Sequence, residues 1–408
     1  MNPKWYLFIF LPYILHADIP ILQKIALFGN KTTQSVVIMR ELLIQPGYPV
    51  TDSLLVSDRA WLIRSNFLDK IDFQLKPGLN KNECNLLIVI KEKHHWSFSP
   101  SFHSDDLFGM VGGGTLKLRN LWGYRQELSM KIETGGKKRA VFSWLNPWFA
   151  GSWRFFSSMD LYIKKMQYPY QDYPVKFNEM MWGVELKAGK QIGRHIQYGL
   201  RTTWEKIRTD LSHATLSGQN MDQPVSAGLF FNIDTRDWPA YPRHGYFFHA
   251  SMNNTNISGH QYQHTILNLR NYFPVKRSDI LAMQWFIQGF HGQIPVYQRL
   301  HIGGGETVRG IPTGTLAGDW MAMANVEYRF PIMYERNFQE HLHVGYAGIL
   351  FIDLGSAWFS KNAWTLQNCR SSAGIGVHAI WDQYVVRGEY GTRGKGWGFI
   401  NIGTSVHF

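Results

Sequence analysis

Tyr198-Gly199-Leu200-Arg201-Thr202-Thr203-Trp204-Glu205 alternates with a period of two: Tyr198, Leu200 and Trp204 fall on one side of an extended chain, and Arg201, Thr203 and Glu205 on the other. The same period runs through Trp182-Gly183-Val184-Glu185-Leu186-Lys187-Ala188. It recurs in Tyr384-Val385-Val386-Arg387-Gly388-Glu389-Tyr390, where Arg387 and Glu389 share the polar side. Alternation alone also suits a soluble sandwich, so the composition of the two sides decides. In strand after strand large aromatic and aliphatic residues oppose charged ones, while Gly or Asn marks the turns. A soluble core would bury the aromatics, whereas a membrane barrel turns them to lipid and turns Arg, Lys and Glu to a wet lumen. The pattern persists over residues 94–408. At roughly 20 residues per strand and connection, that segment makes an all-β transmembrane barrel of about 16 antiparallel strands.

Composition agrees. The chain has 408 residues, 15% of them aromatic, with 38 Gly, 16 Trp and 19 Tyr, which suits strands with interfacial aromatic belts better than helices. Trp144, Trp148 and Trp153 are assigned to such a girdle. After the first residues no uninterrupted apolar stretch reaches the length of a membrane helix. At the start, Met1-Asn2-Pro3-Lys4, the apolar run Trp5 to Leu15 and the small residue Ala17 predict a signal peptide over residues 1–17, with a retained anchor as the alternative. The formal charge of +12 is spread among apolar residues instead of forming a tract. It fits a polar lumen or anionic lipid, and no nucleic-acid partner is expected. Cys84 and Cys369 fall in different segments, so no disulfide is expected. His94-His95 and the pair His341 and His343 lack a third ligand, and no nucleophile has a companion base. No metal, other cofactor or catalytic residue is expected.

Residues 18–93 read differently. Ile21 to Phe28 predicts a strand ended by Gly29-Asn30, and Thr33 to Leu43 and Asp52 to Ser65 carry helical spacing on either side of the Pro46-Gly47-Tyr48-Pro49 break. Ile71 to Leu75 and Leu86 to Ile90 predict two strands joined by a turn-rich connection. The expected order is β-α-α-β-β, a small α+β domain ahead of the barrel.

The stretch Gly303-Gly304-Gly305-Glu306-Thr307-Val308-Arg309-Gly310-Ile311-Pro312 reads, on its own, as a flexible loop; no Lys-Ser or Lys-Thr follows, which excludes a phosphate loop. The spacing of Gly303, Gly304, Val308, Arg309 and Gly310 resembles the long-loop motif of the bacterial surface-antigen (BamA–TamA) superfamily of outer-membrane assembly and translocation proteins. In that family the loop tucks into the barrel and its arginine docks on the inner wall. Strand parity within this chain supplies matching acids. Ala322, Ala324, Val326, Tyr328 and Phe330 share one side, leaving Glu327 on the lumen side, and Leu350, Ile352 and Leu354 leave Asp353 inward. Both fit the family's x-E-F/Y and F-x-D-x-G strand motifs.

Asp234-Thr235-Arg236-Asp237 with Pro242 and Gly245 is similar to the family's D-x-R…P-x-x-G stretch. The segment 18–93 resembles one polypeptide-transport-associated (POTRA) domain. Asn401-Ile402-Gly403-Thr404-Ser405-Val406-His407-Phe408 resembles the C-terminal β-signal of outer-membrane barrels, with Asn401, Gly403, Val406 and Phe408 at its marked positions. Continued alternation places Ile402, Val406 and Phe408 outward. Two departures stand out: Ile311 follows the motif glycine where an aromatic is common, and a single POTRA domain precedes the barrel, which leaves the subfamily open. The resemblance implies a protein of the bacterial outer membrane, its POTRA domain periplasmic, that inserts or passes polypeptides without chemical turnover. Its implied partners are outer-membrane lipid, client chains at the POTRA strand edge, and accessory periplasmic or lipoprotein subunits. A pore gated by the inward loop and a passive surface-antigen barrel are the alternatives.

Overall fold

The structure, a computed structural model, describes residues 19–65, 67–149, 153–168, 172–276, 278–333, 344–362, 364–381, 384–393, 398–404 and 408. The expected signal segment, Val406, and His341 and His343 lie outside the described residues. The chain divides into two compact units, one ending at Glu92 and the other running from Lys93, with Thr32–Gln34 counted in the second.

The first unit runs β1 (Ile21–Phe28), α1 (Ser35–Met39), α2 (Asp52–Arg64), β2 (Leu68–Pro77) and β3 (Glu83–Glu92). Its sheet order is β1-β3-β2, with β1 parallel and β2 antiparallel to β3. One face of the sheet closes over Leu22, Val37, Ile38, Leu62, Leu86 and Ile88, all fully buried. Gly29 ends β1 with φ +92°, and a Cβ there would lie 2.1 Å from the Ile90 carbonyl oxygen. Only a glycine fits. The helix predicted over Thr33–Leu43 is confined to Ser35–Met39. The buried Asp58 carboxylate takes the Leu43 N–H at 3.1 Å and the Ile44 N–H at 3.0 Å, so a side chain replaces the helical carbonyls there. Thr51 caps α2 by accepting from the Leu54 N–H at 3.3 Å.

The second unit is a closed antiparallel barrel. Its strands are β4 (Trp96–Asp105), β5 (Gly109–Leu121), β6 (Gln126–Gly135), β7 (Lys137–Phe149), β8 (Phe155–Gln167), β9 (Asn178–Ile192), β10 (Ile196–Thr209), the two-residue β11 (Met221–Asp222), β12 (Val225–Asp234), β13 (Gly245–Ile257), β14 (His260–Pro274) and β15 (Ile280–Gly292). A short ribbon, β16 (Leu300–Ile302) and β17 (Leu316–Gly318), stands apart, and β18 (Trp320–Met333), β19 (Val344–Trp358), β20 (Arg370–Trp381), β21 (Tyr384–Thr392) and β22 (Phe399–Thr404) complete the wall. Apart from β11, sixteen strands close the cylinder, the number expected for residues 94–408. No helix among the described residues is long and apolar enough to cross a membrane, so closed strand pairing satisfies the backbone instead.

The alternation sorts as its composition requires. Leu200 is 65% exposed and Trp204 47% on the outside, while their neighbour Thr203 is 8% exposed on the inside. On one half of the lumen charged side chains pair: Lys117 with Glu127, Lys131 with Glu133, and Lys187 and Arg201 both with Glu185. The other half holds the loop between β15 and β18. Both cysteines are free.

Candidate functional site

The loop enters the lumen as the β16–β17 ribbon and turns at the glycine motif. Gly303 and Gly304 have φ of +118° and +85°, and a Cβ on Gly303 would lie 1.9 Å from the Pro312 carbonyl oxygen. The turn is tied by Gly304 N–H to Ile311 O at 2.7 Å and by Thr307 Oγ1, which takes the Gly303 N–H at 2.8 Å. Ile302, Val308 and Ile311 then bury against Phe290, Met321 and Ala357 of the wall. Ile311 fills the place after the glycine with an aliphatic side chain that is 1% exposed.

This packing delivers Arg309, wholly buried, to three carboxylates. Its Nε and Nη2 donate to Asp353 Oδ2 and Oδ1, both at 2.8 Å. Its Nη1 donates to Glu327 Oε1 at 2.6 Å and to Glu389 Oε1 at 2.7 Å. The Arg309 backbone N–H adds a bond to Asp353 Oδ2 at 3.0 Å, and the guanidinium lies 3.7 Å above the Phe351 ring. Burial alone would push the guanidinium pKa down; Glu327, Asp353 and Glu389 outweigh it and hold the group charged. Two further arginines complete the cluster. Arg329 Nε donates to Glu327 Oε2 at 2.8 Å, and Arg387 reaches Glu389 at 3.3 Å and Glu306 at 2.6 Å. Arg309, Arg329 and Arg387 thus balance Glu327, Asp353 and Glu389, a condition for holding charges away from water.

The three inward residues of Phe351-Ile352-Asp353-Leu354-Gly355 each have a physical task. Phe351 is the floor under the guanidinium, Asp353 forks onto it, and Gly355 clears the loop, since a Cβ there would lie 2.6 Å from Val308 Cγ2. On β20, Gly374 and Gly376 leave the room that the Phe351 ring and the Glu389 stem occupy. Gly310, at φ +79°, lies directly on β21: a Cβ would meet the Gly391 carbonyl carbon at 2.4 Å.

The structure therefore brings Arg309 together with the two expected acids and adds Glu389, Phe351 and Gly391. Glu389 had inward parity in the sequence; what was missing was the register that carries β21 to the docked loop. The C-terminal positions part company. Gly403 faces inward near Arg387, Asn401 approaches Gly305, and Ile402 is outward at 43% exposed. Phe408 contradicts the parity expectation: it is 1% exposed and lies inside, with Tyr272 and Ala282 of the inner wall. Its carbonyl accepts from Arg329 Nη2 at 3.3 Å, and the Arg329 guanidinium sits 5.6 Å from its ring. Parity reaches residue 408 only through residues 405–407, which lie outside the described ones. An apolar niche beside a buried arginine competes with lipid for the ring.

The root of the loop is clasped at the end of the barrel where β4 ends. Asp172 accepts from Arg299 Nη1 at 2.9 Å and contacts His301 Nε2 at 3.1 Å. Burial raises the Asp172 carboxyl, but the bonds from His301 and Arg299 outweigh it and hold the pKa down to about 2. A depressed folded-state pKa means that the clasp is intact above the unfolded value of about 3.9 and is lost only as pH falls toward about 2. In the Asp234 motif, Arg236 forks onto Asp234 with both bonds at 3.0 Å, closing the turn from β12 to β13.

A closed antiparallel barrel with a long loop pinned inside by a buried arginine defines an outer-membrane barrel with an internal plug-like loop. Residues 120–392 match the Omp85 superfamily domain, and the chain belongs to that superfamily. The outer membrane protein assembly factor BamA of Nitratidesulfovibrio vulgaris is 22% identical over 331 residues, covering 75% of this chain and 41% of that protein. The chain thus spans about two fifths of that relative's length. Among solved structures, BamA from Haemophilus ducreyi lacking POTRA domains 1–3 aligns with a TM-score of 0.63 at 16% identity, over 95% of this chain and 84% of that one. CdiB from Escherichia coli gives a TM-score of 0.64 at 10% identity, over 95% and 76%. CdiB from Acinetobacter baumannii gives 0.62 at 14%, over 95% and 74%.

Proposed function

We propose that this protein inserts or passes polypeptides at the outer membrane without chemical turnover, with residues 1–17 as signal peptide, 18–93 as a periplasmic POTRA domain and 94–408 as the barrel. The observation that carries this reading is the seam where β22 meets β4. Among the described residues one register pair joins them, Gly403 with His103, whereas β4 and β5 share ten. Side chains bridge the rest: Ile402 N–H donates to Ser104 Oγ at 3.2 Å, and the Tyr384 hydroxyl of β21 donates to the Phe98 carbonyl at 3.0 Å. Backbone groups held by so few strand bonds are a ready template for an incoming strand. In the first unit β1 is covered by the 47–50 segment, with Leu22 N–H donating to Tyr48 O and Gly47 N–H to Leu22 O. That leaves β2 and the remainder of β1 as edges for an extended client.

The similarity to a curated BamA supports this reading over a passive surface barrel. Accessory periplasmic or lipoprotein subunits fit the same reading. Conditional depletion followed by outer-membrane proteomics tests it. Loss of many barrel proteins is expected of a general insertase and loss of one secreted protein of a dedicated translocase; an unchanged proteome would refute both.

A further inference from the structure

We propose that the outward rim of β7–β10, at the end of the barrel bearing the long connections, binds the phosphorylated headgroup of a membrane lipid. The connections 210–224, 293–319 and 359–369 lie at that end, and each is longer than the longest at the other, 235–244 and 334–343. In outer-membrane barrels the longer connections face the exterior, so this rim lies in the outer leaflet, whose characteristic lipid is a phosphorylated glucosamine glycolipid.

Lys138 shares the outward side of β7 with Phe142, Lys165 that of β8 with Leu161, and Lys206 and Arg208 that of β10 with Trp204. Register sets them in rows: Lys138 pairs with Lys165, Lys165 with Met180, and Met180 with Arg208, while Lys206 pairs with Trp182 in the next row. At about 4.8 Å between strands, the row from Lys138 to Arg208 spans roughly 14 Å, wide enough for a headgroup with two phosphates. Two lysines directly opposed across a strand pair repel one another, and none of the four cations has an ion-pair partner among the described residues. Arg208 lies 6.0 Å over the Trp182 ring. The neighbouring carboxylate, Asp210, is engaged by Asn178 through two bonds of 2.7 Å.

An external anion would relieve that repulsion. The corresponding outward positions of β13 and β14 are neutral: Asn254, Asn256, Gln261 and Gln263. Below the cations Ile163 and Leu186 continue the surface as apolar wall for acyl chains. A basic rim over a lipid-facing wall is the complement of an anionic amphiphile, and it does not depend on the client-handling function proposed above.

Binding of diphosphoryl lipid A to the full chain in detergent tests this directly. At about a fivefold effect per cation near an anionic surface, Lys138→Gln/Lys165→Gln/Arg208→Gln should weaken binding roughly 100-fold. A triple neutralisation at the other end, Lys190→Gln/Arg243→Gln/Lys276→Gln, should leave it within about twofold, and enzymatically dephosphorylated lipid A should bind the unaltered protein as weakly as the rim variant binds the intact lipid. Equal losses in the two triples, no loss in the rim triple, or undiminished binding of the dephosphorylated lipid would each overturn the proposal. The comparison of the two lipids on the unaltered protein stands even if a variant fails to fold.

Discussion

Arg309→Ala is expected to free the loop from the wall and destabilise the barrel by about 3–5 kcal/mol, the cost of breaking a buried ion pair from one side. The large effect follows from the balance of the cluster. Without the Arg309 side chain, Asp353 loses its forked partner, Glu327 and Glu389 each lose a short bond, and three buried carboxylates face two remaining arginines. The folded form on unheated gels should melt at lower temperature. Arg309→Lys should recover little, because one ammonium cannot reproduce a fork onto Asp353 together with bonds to two glutamates. The same variant separates a gate from a brace. A freed gate raises ion conductance, whereas a lost brace lowers client assembly with conductance nearly unchanged.

Gly310→Ala should give the same phenotype without touching a charge. Its φ of +79° is costly for any residue with a Cβ, and the added carbon would sit 2.4 Å from the Gly391 carbonyl carbon and 2.6 Å from the Thr392 nitrogen. Those are backbone atoms of β21 and cannot swing aside, so the tip must lift and take Arg309 with it. Because both substitutions undo one docking event, their combination should cost much less than the sum of the two. Gel stability of the single and double variants measures this, and additive losses would show that charge and close approach act separately.

Much of this was legible from the chain alone. Period-two alternation with charge on one side and aromatics on the other specifies strands, faces and an approximate number, because side-chain direction in a strand is a local property. Glu327 and Asp353 could be placed inward by the same parity. Glu389 was inward too, yet its part in the cluster depends on two inward glycines of β20, Gly374 and Gly376, which let Phe351 and Glu389 occupy their space. That is a matter of register between strands distant in sequence, and parity carries no register. Phe408 shows the converse failure, since parity carries nothing of the niche of Tyr272, Ala282 and Arg329 that takes its ring. The helix over Thr33–Leu43 was overestimated because Asp58, far along the chain, captures the backbone N–H groups of Leu43 and Ile44.

The seam is where the account is most exposed. His103 and Gly403 face one another across β4 and β22, so cysteines at these two positions should form a disulfide that fixes the seam. A Cβ on residue 403 would lie 3.2 Å from Arg387 Nε, so the reduced double-cysteine protein serves as the control for any shift of that arginine. Client assembly should then be measured with the protein oxidised and again after reduction. The account predicts that assembly fails in the locked barrel and returns on reduction, with conductance the same in both states. Full client assembly by a barrel shown to be quantitatively cross-linked would contradict it.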